Sequence, residues 1–116
     1  MGEKISYLMD AIVTARAGGV PLQALAEVFD RLEWILADPR PIGLVKMQWA
    51  LGLDPVRVEI ALLMKEAFLA DNEEELRIIL SQVISNHPHL LAVCQQVMND
   101  WFTNEQLLGR SGAIGG

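Results

Sequence analysis

The stretch Asp54-Pro55-Val56-Arg57-Val58-Glu59-Ile60-Ala61-Leu62-Leu63-Met64 decides the fold. Asp54 is a strong helix cap, because its carboxylate can accept a backbone N–H of the first turn. Pro55 suits the first helical position, where no N–H is needed. The segment that follows is apolar on nearly every side and keeps that pattern through Ala67, Phe68 and Leu69, which predicts a helix over 55–70. A helix without a polar face belongs in the middle of a bundle. The rest of the chain must then supply its walls.

Downstream, Asn72 is placed to cap a further helix, with Glu75 at the capping-box spacing. Glu73, Glu74 and Glu75 crowd its first turn, where the helix dipole favours negative charge. Leu76, Ile79, Leu80, Val83 and Ile84 form its apolar stripe. Asn86-His87-Pro88 breaks that helix and starts a sixth, whose stripe is Leu90, Leu91, Cys94, Val97, Met98, Trp101 and Phe102. Thr103 and Gln106 match a second capping box, predicting a separate final turn over 104–108 closed by Gly109. The glycine-rich segment 109–116 reads as a flexible tail.

Upstream, Ile5, Leu8, Met9, Ile12 and Val13 mark one face of a helix over 3–17, stopped by Gly18-Gly19. Pro21 opens a second helix whose inner face is Leu22, Leu25, Phe29, Leu32 and Leu36. Glu27 and Arg31 stand at i,i+4 spacing, predicting a surface ion pair. In Asp38-Pro39-Arg40-Pro41 each proline pushes its predecessor towards extended backbone, so Asp38 and Arg40 should both be extended. A short third helix follows over 42–51, ended by Gly52. No alternation or hairpin signal competes with helices. The fold class is therefore all-α: a compact bundle of about six helices over residues 1–108, plus the tail.

Composition narrows the function. A chain of 116 residues is one domain, and 52% apolar content excludes a disordered or low-complexity chain. Nine Lys and Arg face fifteen Asp and Glu, a balance that argues against nucleic acid as partner. A helix-turn-helix reading of the third and fourth helices fails for the same reason: the second offers only Arg57, Glu59 and Lys65 among aliphatics. The N-terminus has no signal-like apolar core, and no apolar run approaches the roughly 20 residues of a membrane span. The expected location is cytoplasmic.

Chemistry finds little support. His87, His89 and Cys94 are the cluster of soft ligands, but His89 and Cys94 would diverge by about 140° on a helix. The plain reading is that His87 helps cap a helix, His89 is solvated and Cys94 packs as a small hydrophobe. Ser6, Ser81, Ser85 and Ser111 lack a nucleophile setting, and there is no phosphate-binding glycine loop. Glu27, Asp30 and Glu33 step along the second helix with Asp10 able to approach, a pattern that could hold a metal but reads more simply as a solvated face.

Apolar surplus is the stronger signal. Six short helices this apolar should leave large side chains outside. Candidates off the main stripes are Tyr7, Trp34, Ile35, Met47, Trp49, Leu69, Phe102, Leu107, Leu108 and Ile114. The expectation is a non-enzymatic interaction or assembly module, such as an adaptor, that self-associates or docks on a larger complex. Its contact residues would be Trp34, Trp49, Trp101 and Phe102, with Arg40 and Ile42 from the loop over 38–43 and the C-terminal tail as a further contact element. No cofactor, metal, membrane or small-molecule substrate is expected. One alternative is an acidic inhibitor or immunity-type protein that blocks a basic enzyme. A more remote one is a metal-dependent helical hydrolase using Glu27, Asp30 and Asp10.

Overall fold

The structure, a computed structural model, describes the backbone of residues 2–65 and 69–115 and the side chains of residues 3–65 and 69–103. Among the described residues six α-helices follow one another: α1 (Gly2–Ala15), α2 (Leu22–Ile35), α3 (Arg40–Ala50), α4 (Pro55–Leu63), α5 (Glu73–Asn86) and α6 (Leu91–Gly115). A 3-10 turn, Pro88–Leu90, leads into α6. No strand occurs among the described residues.

The helix starts follow local chemistry. Asp54 accepts the Val56 N–H at 3.0 Å with Pro55 at the first position of α4. Asn72 accepts the Glu75 N–H at 2.9 Å, and the Glu75 carboxylate accepts in return from Asn72 Nδ2 and from the Asp71 N–H. Between α1 and α2, Gly19 takes φ of 88°, which a side chain would disfavour.

As its composition demands, α4 sits centrally: it packs against α2, α3 and α6, while α1 packs on α3 and α5 on α6. Val58, Ile60, Ala61 and Leu62 are buried, and the surrounding core takes Met9 and Val13 from α1, Phe29 from α2, Ile42 from α3, Leu76 and Val83 from α5 and Cys94 from α6. Among the described residues, no helix is long and apolar enough to cross a membrane.

Four local expectations are corrected. First, α4 ends at Leu63, well short of residue 70, with Met64 already extended at ψ 131°. Two distant side chains take over the backbone there. Lys46 of α3 donates to the Met64 carbonyl, and the Asp30 carboxylate of α2 accepts the Lys65 N–H at 3.0 Å. Leu69 and Ala70 are buried outside any helix, while Ala67 and Phe68 lie outside the described residues.

Second, Arg40 is the first residue of α3 and not extended. Asp38 accepts its N–H at 3.1 Å and two guanidinium N–H groups at 2.9 Å, which holds Arg40 in the first turn despite Pro41. The same guanidinium keeps the Asp38 carboxyl below the usual carboxylate range. Third, no break occurs at Thr103: its hydroxyl donates to the Asn99 carbonyl within a continuous α6 that runs past Gly109. The side chains of Leu107, Leu108 and Ile114 lie outside the described residues. Fourth, Glu27 and Arg31 do not form the expected ion pair, and among the described residues neither has another partner.

Candidate interaction surface

Helix α3 sorts its side chains by register. Ile42, Val45, Lys46 and Trp49 stand at i, i+3, i+4 and i+7, one face of the helix, and all four are buried. Trp49 meets Phe29 edge-on at 5.7 Å between ring centroids, and the Arg57 guanidinium lies 5.8 Å from its ring. Two expected contact residues are thereby corrected. Ile42 has no exposure and Trp49 only 9%, because both belong to the buried register of α3. Leu69, also named as a surface candidate, is buried as well.

Arg57 closes the cover over Trp49. It donates to Asp10 Oδ1 of α1 at 2.8 Å, to Thr14 Oγ1 at 3.3 Å and to Asp54. Burial raises the Asp54 carboxyl, but the hydrogen bonds from Arg57 and the Val56 N–H outweigh it and leave Asp54 below its ordinary range. Asp10 thus ties α1 to α4.

The same register that buries Trp49 forces a charge inside. Lys46 has an exposure of only 4%. Its amine donates to the Met64 carbonyl, and Asp30 and Glu33 of α2 act on it electrostatically. Burial pushes it down to about 8 against the pull of those two carboxylates. It lines a groove of about 440 Å³ between the end of α4 and α6, together with Leu63, Val93, Val97 and Trp101. Its residue type does not mark Lys46 as buried, but its spacing from Ile42 and Trp49 does.

The outer face of α2 behaves oppositely. Trp34 is 77% exposed and Ile35 75%, with Val28 also exposed on the same helix. Arg40 is exposed beside its Asp38 partner. Of the α6 pair, Trp101 is half-buried and Phe102 is at the surface, where the Arg77 guanidinium covers its ring at 5.8 Å. Tyr7, 79% exposed, and the exposed Leu44 edge another groove, between α1 and α3. Of the expected contact residues, Trp34 lies on α2, Arg40 at the start of α3 and Phe102 on α6, all three exposed, whereas Ile42 and Trp49 are inside. Exposed Leu53 and Ile78 were missed. Leu53 sits in the α3–α4 turn, and Ile78 falls off the inner stripe of α5, a signal that the same helical spacing carries.

The other chemical readings meet the geometry as follows. His87 is buried at the end of α5 and its ring Nε2 donates to the Gly52 carbonyl at 3.2 Å, while His89 is exposed and Cys94 buried, its thiol pushed up by burial. Asp10 is engaged by Arg57 and Asp30 by the Lys65 N–H, and among the described residues no three His, Cys, Asp or Glu converge to hold a metal ion. Glu27, Asp30 and Asp10 are therefore not brought together. Comparison with protein-family models, with curated proteins and with solved structures finds no match.

Proposed function

We propose that this chain is a non-enzymatic interaction or assembly module that works by contact with another protein surface. What supports this reading is the pair Trp34 and Ile35. The core is complete without them: α2 already contributes Leu25, Ala26 and Phe29 to the interior. Two large apolar side chains side by side in water cost free energy that burial against another surface would recover, at about 25 cal/mol per Å². Aromatic residues in such positions are the anchors of protein contacts.

The test is the native mass of the full chain by light scattering across micromolar concentrations, together with what co-purifies. Association or a stoichiometric partner is expected. It should persist at high salt, because apolar area drives it, whereas the acidic-inhibitor alternative would weaken steeply. A monomer at every concentration with no co-purifying protein overturns the reading.

A further inference from the structure

We propose that the outer face of α2 is a homodimer seam, across which a second copy of this chain packs its own α2 antiparallel about a twofold axis. This rests on the association reading above and names the partner. At about 100° per residue, Ala24, Glu27, Val28, Arg31, Trp34 and Ile35 fall within an arc of about 120° on α2. Ala24 is half-buried and the other five are exposed. The arc therefore carries an anion and a cation one turn apart, a bulky tryptophan at one end and a small alanine at the other.

That pattern selects its partner. A wholly acidic partner would place a like charge on Glu27, and a wholly basic one would do so on Arg31. The surface that satisfies both carries the same two charges in reverse order, which an antiparallel copy of α2 does. A twofold axis passing the helix at position 29 sets Glu27 opposite the partner's Arg31 and, in the same register, Trp34 over the partner's Ala24, large against small. Both contacts then occur twice by symmetry. The free chain leaves the pair open for this: Glu27 and Arg31 have the spacing and orientation that favour an intrahelical bridge, yet neither has an ion-pair partner among the described residues. A single helix face about 20 Å long gives an interface in the small, transient class, so the dimer should form in the micromolar range.

Sedimentation equilibrium of the full chain tests this with two charge reversals, Glu27→Arg and Arg31→Glu. Both sites are exposed on a helix, so the variants should fold, which far-ultraviolet circular dichroism checks. Each variant alone should dimerise about tenfold or more weakly, since like charges then face each other twice. An equimolar mixture of the two should restore association as a heterodimer, because every contact again pairs opposite charges. Trp34→Ala should also weaken the dimer. A dimer indifferent to both reversals, or a mixture that stays monomeric, overturns the seam while leaving association through another face standing. So does a monomer that co-purifies with a different protein. A monomer with no partner at all overturns the seam and the association reading together.

Discussion

The inner face of α3 and the outer face of α2 hold the same kind of residue to opposite ends. Trp49 lies against Phe29 under the Arg57 guanidinium, while Trp34 stands in water beside Ile35. Residue type does not separate them. What does is phase: Trp49 shares its helical phase with Ile42 and Val45, whereas Trp34 shares its own with Glu27 and Arg31. Phase also explains why a lysine is inside and a tryptophan outside. Once Ile42, Val45 and Trp49 face inward, the side chain at position 46 has to follow, whatever its chemistry.

The largest expected effect would come from exchanging the two tryptophans' fates. Trp49→Ala should destabilise the fold by about 3–5 kcal/mol through the cavity it leaves. Trp34→Ala should change the stability of the monomer by less than about 0.5 kcal/mol. Urea denaturation at low protein concentration measures both, and equal losses would break the contrast.

Lys46 sharpens the comparison through pH. Its folded value of about 8 lies below the 10.5 of an ordinary lysine, so between these the unfolded chain binds more protons than the folded one. Stability from this group therefore rises with pH across about 8 to 10.5, by up to about 3 kcal/mol, and the cost of burying the charge is fully present below that window. Lys46→Met should flatten this slope. Denaturation midpoints at pH 7.5, 9 and 10 for both proteins provide the check; parallel slopes would contradict the burial of this amine.

Arg57 tests the cover over Trp49. Arg57→Ala should cost about 1–3 kcal/mol, because it removes charge-assisted hydrogen bonds to Asp10 and Asp54. Amide hydrogen exchange in α1 should quicken at the same time, since Asp10 and Thr14 lose their tie to α4. A smaller effect lies away from both faces. Asn72→Ala should cost about 1 kcal/mol as a lost helix cap, whereas Thr103→Ala, a cap by sequence spacing but mid-helix in the fold, should cost much less.

Much of the architecture was legible. The cap of α4 at Asp54 and Pro55, the Asn72–Glu75 box, the Gly18-Gly19 stop and the central place of α4 all follow from residues within a few positions of one another. The candidate interaction surface was legible only in part. Trp34, Arg40 and Phe102 stand at the surface, but residue type and loop position point Trp49 and Ile42 outward, whereas their i, i+3, i+4, i+7 spacing with Val45 and Lys46 points them inward. The i,i+4 spacing of Glu27 and Arg31 gives an ion pair opportunity and not occupancy.

The beginnings of α4 and α5 were set by the sequence itself, because a cap is a hydrogen bond between a side chain and a backbone N–H two or three residues away. The end of α4 was decided by tertiary structure. Its apolar pattern runs on past Leu63, but Asp30 captures the Lys65 N–H across 35 positions and Lys46 captures the Met64 carbonyl across 18. A backbone group can be satisfied by the next turn of its own helix or by a side chain brought from elsewhere. Only the packing of α2 and α3 around α4 puts those two side chains within reach, and with them in place the helix stops.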